Sequence, residues 1–213
     1  MILPSMSETK HHIVSCDVEL DEATARVSQA FDYEFTGHTE FIVPEFTFPK
    51  EFNIGLIVGA SGSGKSQLLK TRGKEEDIKW NFNKAIVSQF SSTDEAIEKL
   101  FAAGLSSVPS LCKPYHVLSN GEKFRAEMAR RIKDNAIIDE FTSVVNRETA
   151  KSLSVSISKY IKKKNIRCVV FASCHSDIID WLEPDWVFDT NTNTAHANEL
   201  SFDNFPSLGS IEY

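Results

Sequence analysis

One stretch holds enough chemistry to start from: Leu56-Ile57-Val58-Gly59-Ala60-Ser61-Gly62-Ser63-Gly64-Lys65-Ser66-Gln67-Leu68-Leu69. An apolar run enters a glycine-rich turn that ends on a lysine and a serine. Three glycines and small residues between them let the backbone curl until successive N–H groups point inward, which makes an anion nest. Lys65 adds a mobile cation, and the Ser66 hydroxyl is placed to meet a metal ion. Gly59-x-x-x-x-Gly64-Lys65-Ser66 has the spacing of a phosphate-binding P-loop, and its context agrees, with a strand before it and a helix after it. The ligand set is Gly59, Ala60, Ser61, Gly62, Ser63, Gly64, Lys65, Ser66 and Gln67, at a helix N-terminus that favours phosphate.

Further polar residues stand where apolar strands end. Ala136-Ile137-Ile138-Asp139-Glu140 closes on two carboxylates. Beside a P-loop, the first can hold Mg²⁺ through water and the second can polarise an attacking water. Gln89 ends the run Ile86-Val87-Ser88-Gln89, and His175 follows Val169-Val170-Phe171-Ala172-Ser173-Cys174. Singly, each reads as an ordinary polar strand end. Several such ends facing one phosphate site would be a catalytic edge. Ser119-Asn120-Gly121-Glu122 opens a second helical run.

Those residues need a sheet to bring them together. Apolar runs predict strands over 52–58, near 84–87, over 136–139, 167–172 and 186–189. Helical periodicity follows Ser66 to about Thr71 and covers 93–104, 122–133, 147–163 and 177–182. Before residue 50, strand-like pieces at 12–18 and 39–48 flank a helical one at 21–31, which reads as an antiparallel flap. Alternating strands and helices around a P-loop predict an α/β fold with a mostly parallel sheet and helices on both faces. Residues 1–12 read as a flexible N-terminus and 13–213 as one domain, with a reduced helical subdomain at about 91–133.

As a set, the motifs resemble those of the ATP-binding cassette (ABC) ATPases: Walker A at 59–66, the Q-loop Gln89, a signature-like Leu118-Ser119-Asn120-Gly121-Glu122, Walker B at 136–140, a D-loop at 143–146 and the switch His175. They follow the family's order from residue 56 to 175. The resemblance implies ATP and Mg²⁺ as cofactors, with Ser66, Gln89 and Asp139 on the metal and Glu140, His175 and Gln89 in catalysis. It also implies a head-to-tail homodimer in which Ser119, Asn120, Gly121 and Glu122 face the other copy's nucleotide. An aromatic ahead of Walker A, Tyr33 or Phe35 by distance, would stack on adenine.

The departures are Asn120 and Glu122 in the signature and Asn146 at the usual D-loop aspartate. Glu122 is more like the chromosome-maintenance and repair heads than like transporters. The spans from Lys65 to Gln89 and from Gln89 to Ser119 are short beside transporter ATPases, whose helical subdomain docks on membrane proteins. The string from Val117 to Asp189 is similar to a soluble ABC group of bacteria and phages, some of whose members carry a downstream acetyltransferase domain. The chain ends at Tyr213, before such a domain.

Composition agrees with a soluble α/β protein. Hydrophobic residues make up 41% of 213 and charged residues 25%, enough for a core. A net charge of −7 argues against a broad nucleic-acid surface. The basic run from Lys159 to Arg167 reads as a helix C-terminus. No stretch is long and apolar enough for a bilayer, and no secretory leader precedes the flap. Cys16, Cys112, Cys168 and Cys174 lack paired spacing, so a reduced cytoplasmic protein is expected. His11, His12 and Cys16 read as a polar chain end and not as a metal site. The expected activity is a soluble ATPase that drives a conformational cycle on an unknown protein or nucleic-acid partner. The rival readings are a transporter subunit, a head in DNA repair or phage defence and counter-defence, and a non-catalytic nucleotide sensor.

Overall fold

Ile54-Gly55-Leu56-Ile57-Val58 offers no polar side chain to either face, and such a strand is stable only when both faces are covered. In the computed structural model, which describes residues 12–197, this strand is β3 (Ile54–Val58), and all five residues are buried. Around it the chain forms β4 (Ile137–Ile138), β5 (Val169–Ser173), β6 (Trp186–Asp189) and β7 (Thr194–Ala197) in the spatial order β4-β5-β3-β6-β7. β3 runs parallel to β5, from Ile54↔Val169 to Val58↔Ser173, and parallel to β6, from Gly55↔Trp186 to Val58↔Asp189. β4 joins β5 in parallel through Ile138↔Phe171, and β7 closes the β6 side antiparallel. The parallel strands therefore deliver their carboxyl ends to one edge. β3 lies where the connections diverge to either side, the place where open α/β sheets bind ligands.

The helices of this part are α2 (Lys65–Arg72), α3 (Thr93–Ala102), α4 (Val108–Leu111), α5 (Asn120–Arg131), α6 (Arg147–Lys164) and α7 (Ile179–Leu182), preceded in the chain by α1 (Glu22–Ala30). One continuous core joins strand residues Leu56, Val58, Ile138 and Phe171 to Leu100, Met128, Leu153 and Ile157. The helices of the expected reduced subdomain therefore share their apolar interior with the sheet. On Gly55 the fold places Trp186: a Cβ there would lie 2.0 Å from the indole Cζ2. The edges of Phe48 and Phe52 pack on the same indole.

Helix ends explain several sequence choices. α6 stops at Asn165 in the left-handed conformation, φ 51°, with Lys162, Lys163 and Lys164 in its last turn. The basic run is thus a helix C-terminus, where cations suit the dipole. α3 is capped by Ser92, whose Oγ accepts from the Glu95 N–H.

The chain divides into two units, Met1–Phe46 and Thr47–Tyr213. The first holds α1 (Glu22–Ala30) between β1 (Ile13–Asp17) and β2 (His38–Ile42), paired antiparallel from Ile13↔Ile42 to Asp17↔His38. The second flap strand ends at Ile42, short of the expected Phe48. Asp21 and Thr24 form a reciprocal cap on α1. His38 sits between Asp17 at 2.6 Å and Glu40 at 3.0 Å, and those hydrogen bonds raise its pKa. The expectation for residues 1–11, His11 included, lies outside the described residues.

One element differs in kind. The expected strand near Lys84–Val87 is a 3-10 turn, Ile86–Gln89, with no place in the sheet. An apolar pair of this length does not separate a strand from a buried turn by pattern alone. Ile86 is fully buried, and its N–H is held by the Lys113 carbonyl at 2.9 Å, not by a strand.

Candidate functional site

After Val58 the backbone must turn sharply to start α2, and glycine makes the turn possible. Gly59 has φ 151° and Gly64 φ 90°, so both sit where side chains are strained. A Cβ on Gly59 would also lie 2.0 Å from Thr190 Oγ1, whereas one on Gly62 would meet nothing within 4 Å among the described residues. The loop is therefore closed tightly at its base and open at its crest. The Lys65 ammonium lies back across it, donating to the Gly59 carbonyl at 2.8 Å and to the Ala60 carbonyl at 2.6 Å.

Two residues that sequence reasoning missed tether this loop. Thr190 Oγ1 lies 2.5 Å from Ser63 Oγ and donates to the Val58 carbonyl at 3.1 Å. Asn191 Oδ1 accepts the Ala60 N–H at 3.0 Å. Both follow β6, and only the pairing of Val58 with Asp189 brings them there. Nothing in their spacing from the glycines announces it.

Ser66 and Ser61 are exposed, and Gln67 is half-buried on the first turn of α2. Asp139 and Glu140 follow β4 at the same edge, Asp139 half-buried and Glu140 exposed. The Glu140 N–H donates to Asp139 Oδ1 at 2.9 Å. Glu140 and Thr142 both have positive φ, 49° and 71°. Thr142 is fully buried, and its Oγ1 has no hydrogen-bond partner among the described residues. A β-branched residue in that conformation carries strain of about 1–3 kcal/mol. His175 follows β5, half-buried, with its N–H on Ser173 Oγ at 3.1 Å.

Gln89 is placed differently. Its Oε1 accepts the Asn81 N–H at 2.8 Å, and its Nε2 donates to the carbonyls of Asn81 at 3.0 Å and Lys84 at 3.1 Å. The side-chain amide is occupied in folding the 81–85 loop. The fold brings Asp139, Glu140, His175 and the P-loop to one sheet edge, while Gln89 sits on a turn outside the sheet.

Ser119 caps α5: its Oγ accepts the Glu122 N–H at 3.3 Å, and Glu122 Oε2 accepts the Ser119 N–H at 2.9 Å. Ser110 Oγ donates to the same carboxylate at 2.5 Å. This bond, then the Ser119 N–H, hold the Glu122 pKa down to about 2. Glu122 is therefore the N3 partner of a capping box. Ser119 and Asn120 are exposed, and among the described residues a Cβ on Gly121 would come within 4 Å only of the tip of Arg125, at 4.0 Å. Asn146 caps α6 by accepting the Thr149 N–H at 2.9 Å, which an asparagine does as well as an aspartate. Tyr33 and Phe35 belong to the first unit, Tyr33 exposed.

Among the described residues no three His, Cys, Asp or Glu side chains cluster to hold a metal. One carboxylate and one hydroxyl near a phosphate nest fit a Mg²⁺ that arrives with a nucleotide, the usual way this ion is bound. The donor set therefore suits Mg-nucleotide.

A mostly parallel sheet with a glycine-rich turn between β3 and α2 defines a P-loop α/β fold. No protein-family model matches the sequence, and no curated protein matches it. Among solved structures the chain is similar to the dimeric form of MJ0796, a bacterial ABC transporter cassette, at 17% identity. That match covers 70% of this chain and 84% of the other, with a TM-score of 0.48. It is similar also to a dimeric post-hydrolysis state of that cassette bound to ADP and Pi. There the identity is 16%, the coverage 73% and 88%, and the TM-score 0.49.

Proposed function

We propose that this chain is an ABC-type ATPase outside the transporters, which binds Mg-ATP, closes on a second copy of itself and reopens on hydrolysis. The observation that carries the reading is the gathering of the Lys65 loop, Asp139–Glu140 and His175 at the carboxyl edge of β3, β4 and β5.

Lys65 exchanges its two carbonyl contacts for phosphate oxygens, a trade of ordinary for charge-assisted hydrogen bonds. Backbone N–H groups of Gly62 to Ser66 line the nest. Ser66 and Asp139 would hold Mg²⁺, and Gln89 would join them only if its amide were released from the 81–85 loop. When bound, that ion neutralises charge developing on the phosphates. Glu140, exposed beyond the strand, takes the proton of the attacking water, and His175 donates to the transferring group. Ser119 to Glu122 of the second copy would supply a helix N-terminus to the same phosphates.

Among the described residues no helix is long and apolar enough to cross a membrane. We place the protein in the cytoplasm, acting on a protein or nucleic acid. The test is a titration with fluorescent ATP: Lys65→Ala should lose affinity and turnover by about a hundredfold or more. Unchanged affinity would end the P-loop assignment.

A further inference from the structure

Glu75 follows α2 in the run Lys74-Glu75-Glu76-Asp77, whose composition suggests a solvated acidic turn. Its side chain is only 31% exposed. Oε1 accepts the backbone N–H of Asp139 at 3.3 Å and lies 3.0 Å from Nη1 of Arg131, the last residue of α5. One carboxylate oxygen therefore joins the end of β4 to the end of α5.

The Asp139 N–H needs such an acceptor. β4 ends at Ile138, and pairing with β5 resumes only at Phe141, whose N–H donates to the Ala172 carbonyl at 2.8 Å. Between them, Glu140 N–H is taken by the Asp139 carboxylate and Asp139 N–H by Glu75. The direction of the Asp139 carboxylate thus follows its own backbone, which Glu75 holds.

The other arm is anchored too. Arg131 is 20% exposed, and its Nε is buried without a hydrogen-bond partner among the described residues. Its charge is met by Glu75 and, at 3.7 Å, by Glu127 Oε2. Glu127 in turn accepts the Tyr115 hydroxyl. Tyr115 begins the 3-10 turn that leads through buried Leu118 to the Ser119 cap.

We propose that Glu75 is a positioning residue: it fixes the backbone of Asp139 and, through Arg131, ties it to the helix that carries Ser119 to Glu122. The catalytic consequence rests on the function proposed above, whereas the geometric one does not.

Three variants of the full chain separate reach from charge. Glu75→Ala removes the acceptor, Glu75→Gln keeps the oxygen without the charge, and Glu75→Asp keeps the charge but is one methylene too short. Each is measured by hydrogen exchange of the Asp139 amide without nucleotide, and by kcat and KM for Mg-ATP. In Glu75→Ala, exchange should quicken by about tenfold and kcat fall by about tenfold, with KM within about twofold. Glu75→Gln should return both to within about threefold of wild type, and Glu75→Asp should resemble Glu75→Ala. Should Glu75→Ala fail to fold, the Gln and Asp pair carries the comparison alone. Rescue by Asp and not by Gln would overturn the proposal, because charge rather than reach would then matter. Unchanged exchange at Asp139 in both Glu75→Ala and Glu75→Asp would overturn it too. A wild-type chain that hydrolyses no ATP would defeat the proposed function, and the exchange comparison would still decide the role of Glu75.

Discussion

Two helix N-termini in this molecule offer N–H groups to an anion, and they are finished to different degrees. That of α2 has its own cation in Lys65, a loop that wraps over it, and Thr190 and Asn191 bracing that loop from β6. That of α5 has exposed Ser119 and Asn120, a glycine with open space, and no wrapping loop. Its first turn carries a carboxylate, Glu122, which its cap and Ser110 have already engaged, and the tip of Arg125 would lie 4.0 Å from a Cβ on Gly121. The first end is complete within one chain. Under the proposed function, the second would meet a phosphate presented by a second copy.

Breaking the complete site should give the largest effects. Glu140→Gln removes the carboxylate that would take a proton, so kcat should fall by about a hundredfold or more while Mg-ATP still binds. Single-turnover hydrolysis beside an equilibrium titration separates the two quantities, and full activity would make Glu140 an ordinary strand-end residue. Gly59→Ala should weaken nucleotide binding by about tenfold or more, since the new Cβ meets Thr190 and Ser63 at a φ that alanine resists. Adding Thr190→Ala should recover only part of that loss, because the backbone strain remains.

Substitutions that only loosen a helix cap should have smaller effects, on pH dependence and helix stability. The Glu122 pKa is lower in the folded chain than in the unfolded one, so its contribution is fully present above the usual glutamate value. It fades as pH falls toward about 2. The stability gap between wild type and Glu122→Gln, followed by denaturant melts at several pH values, should therefore shrink below about pH 4.5. A gap that widened on acidification would contradict the capping-box assignment. The smallest change is expected from Asn146→Ala, about 1 kcal/mol of stability from a lost cap. A loss of hydrolysis much beyond that would mean Asn146 acts on the nucleotide as well.

The two ends also differ in how far the sequence discloses them. Leu56 to Leu69 states its own structure, because a fully apolar strand, positive-φ glycines and a helix start are each local requirements. Ser119 and Glu122 are similarly legible as a capping box, which needs only residues three apart. What stayed hidden depends on neighbours brought in by the sheet. Thr190 and Asn191 reach the P-loop only because β6 pairs with β3. Glu75 looks like solvent-facing charge until β4 and α5 come to rest beside it. The strand expected before Gln89 failed for a different reason: Ile86-Val87 is apolar enough for a strand, but the Lys113 carbonyl takes the Ile86 N–H and the chain turns instead. The flap was found in kind, with its second strand drawn too long.

The claim that joins both ends is that nucleotide bound at one chain's P-loop is closed over by the other chain's α5. Light scattering on Glu140→Gln, with and without Mg-ATP, measures this most directly. The account predicts the mass of one chain without nucleotide and of two with it, and the mass of one again when Ser119→Arg is added and ATP still binds. A mass that ignores nucleotide, or a dimer that tolerates Ser119→Arg, would contradict it.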